Sequence, residues 1–129
     1  MRRMMILGGL ALLAGCMHTE PDSQRFPIFF NAWSADLDTA AAGTIKHAAE
    51  WAAAHPNAPV LVSGFADPDG SPQANKDISQ LRAQIVSDEL VNDGVAVARI
   101  RKTAVGSVAY TLDSMESRRV EIIVGAHTD

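Results

Sequence analysis

The chain has 129 residues, 47% of them hydrophobic and 20% charged, which suits one domain with its own core and leaves little for a second. Fifteen acidic residues against eleven basic ones give a formal charge of −4. Such a surface repels phosphate backbones, which argues against nucleic acid as a partner.

At the start of the chain, Arg2 and Arg3 precede the apolar run from Met4 to Ala14, the order of a secretory signal peptide. The run is shorter than the roughly 20 residues that cross a bilayer. It ends in L-A-G-C, Leu13 to Cys16, which resembles a bacterial lipobox: small side chains let a membrane peptidase seat the backbone, and the thiol is presented for acylation. Residues 1–15 are therefore expected to be removed, with Cys16 as the lipidated first residue of the mature chain. Two or more acyl chains anchor stably where one does not. Met17, where an aspartate would resemble an inner-membrane retention signal, favours the outer membrane. Loss of Arg2 and Arg3 leaves nine bases against fifteen acids, a formal charge near −6. Residues 16–25 read as the lipidated cysteine and a polar tether whose last nine residues reach at most about 30 Å. Residues 26–125 then form the domain, and 126–129 a flexible tail.

Within the domain, F-P-I-F-F, Phe26 to Phe30, reads as a first strand, with Pro27 pointing to a sheet edge or a strand start. Leu37, Ala41, Ile45, Ala48 and Ala52 recur at three- and four-residue steps, which predicts a helix from about Asp36 to Ala54, capped by Ser34 or Asp36 and packing Trp51. A-P-V-L-V-S-G-F, Ala58 to Phe65, is a largely buried strand. A second helical period, Ile78, Leu81, Ile85 and Leu90, ends at N-D-G, where Gly94 suits a left-handed cap. Strands near 98–105 and 118–124 complete the order β-α-β-α-β-β. The fold class is α+β, one mixed sheet with two helices packed on one face and right-handed parallel crossovers.

Asp67 ends the second strand, P-D-G-S-P turns, and Arg82 lies in the first turns of the next helix. Side chains from a strand end and the following helix converge there, a common place for a ligand. An acid and a base so placed can hold opposite ends of a zwitterion. The same two residues could instead form a surface ion pair, of which the median worth is about 0 to 1 kcal/mol.

Gly64, Phe65, Asp67, Gly70, Asn75, Ile78, Ser79, Arg82 and Ala83 follow the pattern G-H-x-D-x-x-G and N-x-x-L-S-x-x-R-A, and Ser117 to Ile122 looks like N-R-R-V-E-I. On these motifs the chain resembles the OmpA-like peptidoglycan-binding domain family, of the peptidoglycan-associated lipoprotein type, from about residue 28 to 124. The resemblance implies that Asp67 and Arg82 bind the diaminopimelate of the peptidoglycan stem peptide. Asp67 would accept from its ammonium and Arg82 would grip its carboxylate through two parallel bonds. Asn75 would order the loop or reach the ligand, and Arg118 would line the same groove. The implied function is a non-covalent link from outer membrane to cell wall, with no cofactor and no catalysis. The chain departs from the family at Asn31 and Trp33, where acids are frequent, at Phe65, where histidine is frequent, and at Ser117 in place of asparagine. These departures support a second reading, a periplasmic protein-interaction module that has lost wall binding.

Other chemistry finds little purchase. In D-P-D-G the glycine stands fourth where an EF-hand needs it sixth, and Ile78 occupies the twelfth position where that loop needs a glutamate. His18, His47, His55 and His127 lack metal-ligand spacing. No nucleophile elbow, phosphate loop or paired-carboxylate motif supports a wall-processing enzyme.

The lipobox generates the first prediction. Intact mass spectrometry of the membrane fraction should show acyl mass on Cys16 as the first residue, and Cys16→Ser should release the protein from membranes. An unmodified soluble chain that retains Met1 would contradict it.

Overall fold

The computed structural model describes residues 23–107 and 117–125. The expected signal peptide, Cys16 with most of the tether, and the tail at 126–129 lie outside the described residues. The elements run β1 (Ser23–Phe29), α1 (Thr39–Ala54), β2 (Val60–Ala66), α2 (Pro72–Asn92), a single 3-10 turn (Val97–Arg99), β3 (Ile100–Ser107) and β4 (Arg119–Gly125). That is the β-α-β-α-β-β order of the sequence reading, in one sheet of spatial order β1-β4-β2-β3. The sheet is mixed: β4 is antiparallel to both β1 and β2, while β2 and β3 are parallel. β1 starts earlier than expected, so Ser23, Gln24 and Arg25, read as tether, pair with Gly125, Val124 and Ile123. It is an edge strand, which is where Pro27 and its missing N–H are tolerated.

The last strand, β4, inserts between the first two, and its composition suits that place. Val120, Ile122, Ile123 and Val124 are all buried, as a strand with neighbours on both edges requires. Val120, Ile122 and Val124 align with Gly64, Val62 and Val60, and Ile28 lies opposite Val120, so one face of the sheet is continuous apolar surface. Both helices pack on that face: Ala41, Ile45, Ala48, Ala49 and Ala52 from α1 and Ala83, Val86 and Leu90 from α2 join the same core cluster. The predicted α1 face holds, with Leu37 packed at its margin. Its cap differs. Asp38, in extended backbone, accepts from the Ala41 N–H at 2.7 Å, while Ser34 Oγ accepts from the Asp36 N–H inside the preceding turn. At the other end of α1, Arg99 donates to the carbonyls of Ala52, His55 and Ala58, so a single guanidinium closes the last turn of the helix.

The second helix corrects the sequence reading. Of the predicted stripe Ile78, Leu81, Ile85 and Leu90, only Leu90 is buried, and Leu81 is 49% exposed. The buried face is instead Asn75, Ser79, Arg82, Ala83, Val86, Ser87 and Leu90, small or polar over most of its length. The reason is a close approach to β2. A Cβ placed on Gly64 would stand 2.1 Å from the Ser79 carbonyl oxygen, inside any contact distance, so only glycine on the strand lets α2 lie where it does. At its far end α2 stops as predicted: Gly94 adopts φ 103°, and Val95 N–H donates to the Leu90 carbonyl at 2.9 Å.

Gly64→Ala is expected to be among the most damaging single-methyl additions in the domain. Overpacking of this kind costs about 1 to 3 kcal/mol, and here the obstacle is helix backbone with no rotamer to escape into. Thermal unfolding should show Tm lower by on the order of 10 °C.

Candidate functional site

The site is assembled from four segments: the end of β2, one face of α2, the turn between β1 and α1, and the residue before β4. β2 terminates at Ala66 and delivers Asp67 as the first residue beyond the strand. The D-P-D-G turn then reverses the chain through Gly70, at φ 87°, and Ser71 caps α2 by accepting from the Ala74 N–H at 3.0 Å, with Pro72 in the first turn. On α2, Asn75, Ile78 and Arg82 follow at steps of three and four, one face of the helix. Arg118 comes from the residue before β4, and Trp33 from the turn between β1 and α1. Ala66, Asp67, Asn75, Ile78, Arg82, Arg118 and Trp33 together line a cavity of about 10 Å³, room for about one water.

Asp67 and Arg82 occupy the same cavity without bonding to one another. Asp67 pairs instead with Arg118, Nη1 to Oδ2 at 3.2 Å, with side chains only 11% and 14% exposed. It is not the surface ion pair that the sequence allowed. Arg118 also donates through Nε to the Phe30 carbonyl at 3.1 Å, and the Phe30 N–H donates back to the Arg118 carbonyl at 2.9 Å.

Arg82 lies near the middle of α2 rather than in its first turns, and it is 1% exposed. Its Nε donates to the Ser34 carbonyl at 2.7 Å and its Nη2 to the Asn31 carbonyl at 3.0 Å, while the guanidinium carbon stands 5.1 Å from the centre of the Phe30 ring. Burial lowers its pKa to about 10; the Asp67 carboxylate pulls against that fall and Arg118 adds to it. Arg82 therefore stays a cation at neutral pH. Two cations and one anion share the site, a local charge of +1 in an acidic protein. Arg82 Nη1, Arg118 Nη2 and Asp67 Oδ1 form no hydrogen bond with a described residue. The cluster thus has donors and an acceptor to spare, the complement of a group carrying both a carboxylate and an ammonium.

Asn75 orders the loop. Its Nδ2 donates to the Asp69 carbonyl and to Ser107 Oγ, both at 2.8 Å, which ties the D-P-D-G turn to the end of β3. Phe65 takes no part in the cavity. Strand alternation turns it to the sheet face away from the helices, where the Arg119 guanidinium lies 4.2 Å from its ring centre. Ser117 is buried, and its Oγ has no hydrogen-bond partner among the described residues. Trp33 is the residue the sequence reading missed as part of the site. There it was only a departure from an acidic position, and no local signal says that the turn folds back over α2.

The model of the OmpA family matches residues 29–123. Among characterised proteins, the chain is 36% identical over 104 residues to the peptidoglycan-binding protein ArfA of Mycobacterium tuberculosis, a match covering 76% of this chain and 32% of that one. It is 32% identical over 131 residues to the peptidoglycan-associated lipoprotein of Rhizobium meliloti, covering 92% of this chain and 74% of the relative. The chain thus spans about a third of the length of ArfA and most of the lipoprotein. Among solved structures, the peptidoglycan-associated lipoprotein from Burkholderia pseudomallei superposes with a TM-score of 0.67 at 24% identity, over 76% of this chain and 87% of that one. The OmpA-like domain of FopA1 from Francisella tularensis gives a TM-score of 0.70 at 21% identity, over 81% and 73%. Likeness at that identity shows the fold.

The charge balance of the cluster generates a stability prediction. Asp67→Asn leaves the buried Arg82 and the partly buried Arg118 with no counter-charge in the cavity and should cost about 3 to 5 kcal/mol in chemical denaturation. Arg118→Gln removes a bond but also relieves the repulsion on Arg82, so its cost should be the smaller of the two. The reverse ranking would mean that Asp67 is not what sustains the arginines.

Proposed function

Because the chain belongs to the OmpA family, we propose that it binds peptidoglycan non-covalently through the cavity formed by Asp67, Arg82 and Arg118. The observation that carries this reading is the buried, net positive cluster with unspent hydrogen-bonding groups at the end of β2. The names of the relatives, a peptidoglycan-binding protein and peptidoglycan-associated lipoproteins, support it. The ligand class we assign is the diaminopimelate of the stem peptide, whose free end carries an ammonium and a carboxylate on one carbon. Asp67 Oδ1 accepts from the ammonium. Arg82 Nη1 takes the carboxylate, with Arg118 Nη2, expected from the sequence to line the same groove, as a second donor. Asn75 holds the turn that presents Asp67. No bond is made or broken in this scheme, and the protein acts as a binding module, not as an enzyme.

In this reading the chain is a lipoprotein of the outer membrane facing the periplasm, acylated at Cys16. Because β1 already begins at Ser23, the intervening tether, Met17 to Asp22, is six residues and reaches at most about 21 Å. Confinement beside a polymeric ligand raises the effective concentration toward the millimolar range, so a weak single site suffices. A periplasmic protein partner is the competing occupant, and the exposed Trp33 at the cavity mouth is the observation that favours it.

Purified cell wall should sediment the protein, and Arg82→Lys and Asp67→Asn should each weaken that binding by about tenfold to a hundredfold, the loss of a hydrogen bond to a charged group. Circular dichroism at the assay temperature must be used to select conditions in which both variants are folded, since Asp67→Asn is expected to cost stability and Arg82 also holds the Asn31–Ser34 turn. Stem peptides with the diaminopimelate carboxylate converted to an amide should bind less well at fixed ionic strength. Equal binding of free and amidated peptides would shift the assignment to a protein partner.

A further inference from the structure

The cavity at the proposed site is too small for the ligand. About 10 Å³ holds roughly one water, so an amino-acid head group can reach the floor between Asp67 and Arg82 only if a lining element moves. Most of the lining is fixed. Ala66 and Asp67 belong to the end of β2, Asn75, Ile78 and Arg82 to α2, and Arg118 is held from two sides by Asp67 and the Phe30 carbonyl. Trp33 is different in every respect. It sits in an irregular turn, is 57% exposed, and its indole makes no hydrogen bond with a described residue. It is also the only non-glycine described residue at positive φ, 53°, a conformation that a bulky side chain adopts only under constraint.

Two features supply that constraint. Gly70 leaves the space the indole fills, since a Cβ there would stand 2.6 Å from Trp33 Cη2. Arg82 pins both ends of the turn, donating to the carbonyls of Asn31 and Ser34, which are themselves joined by the Ser34 N–H to Asn31 carbonyl bond at 3.1 Å. The residue assigned to the ligand's carboxylate is therefore also the residue that holds the tryptophan turn in place.

We propose that Trp33 is a gate on the Asp67–Arg82–Arg118 cavity, closed by the hold of Arg82 Nε and Nη2 on the Asn31–Ser34 turn and opened when a carboxylate bound at the unspent Nη1 draws the guanidinium away from those two carbonyls. The inference rests on the peptidoglycan reading of the site. A carboxylate is a stronger acceptor for a guanidinium than a neutral carbonyl. Its arrival loosens the turn, the left-handed strain at Trp33 drives the indole outward, and the cavity widens as it is filled. The gate makes the chain selective for ligands that bring an anion to Arg82, and it keeps the buried charges dry otherwise.

The test compares the full chain with Trp33→Gly, which tolerates the left-handed backbone while removing the indole. An open state populated at 10% or less, the usual range for a minor conformer, depresses apparent affinity by about tenfold or more. Trp33→Gly should recover that factor, binding a stem tripeptide ending in meso-diaminopimelate about tenfold more tightly, chiefly through faster association. Trp33→Asn, whose side chain also tolerates the left-handed region, should show the same gain. A gain in the glycine variant alone would mean a loosened loop and would overturn the gate. Unchanged or weaker binding by both variants, with wild type binding normally, would overturn the gate and leave the peptidoglycan reading standing. If neither wild type nor variant bound the tripeptide or purified wall, both would fall together.

Discussion

A guanidinium buried in the middle of a helix must be solvated by the protein itself, and the architecture around Arg82 is arranged to do so. The group is 1% exposed and keeps its charge. Losing water costs an ion several kcal/mol even after relaxation, so its surroundings must return comparable interactions. Two carbonyls of the turn after β1, the face of Phe30 and the field of Asp67 provide them. The side chain is thereby a cross-link between α2, the β1–α1 connection and the end of β2, three segments distant in sequence.

That cross-link depends on backbone proximity. Because Gly64 has no side chain, α2 can lie with its Ser79 carbonyl against β2, and small residues such as Ser79 and Ala83 keep the helix low on the sheet. Ser79 Oγ also accepts from the Gly106 N–H at 3.1 Å, which joins the helix to β3. A helix with the predicted leucine and isoleucine stripe turned inward would stand farther off. Arg82 would then fall short of the turn it holds.

The chemistry follows from the same economy of space. Asp67 serves two arginines, so the cluster keeps a net positive charge and unspent donors in a protein whose overall charge is negative. For a ligand site of the kind proposed, burial would be discriminating, because a ligand would have to replace interactions of comparable strength before it could settle there. The sheet face beyond Phe65 carries its own pairing of Arg119 with that ring and with Glu121, and these groups contribute nothing to the cavity.

Much of the fold was legible in the residues alone. Element order, the α1 face, the glycine stop at Gly94 and the edge position of Pro27 all follow from local rules of period, turn chemistry and missing donors, which act within a few residues. The spacing of Asp67, Asn75 and Arg82 likewise places them on one strand end and one helix face, and the family resemblance singled them out. The inward face of α2 was not legible, because hydrophobic periodicity assumes that the buried stripe is the apolar one, and here a glycine opposite it selects small and polar residues instead. Nor was the pairing of Asp67 with Arg118 or the position of Trp33 over the cavity, since both require β4 to insert beside β2 and the β1–α1 turn to fold back on α2. Contacts between residues 51 positions apart are decided by which strands become neighbours, and only the assembled sheet settles that.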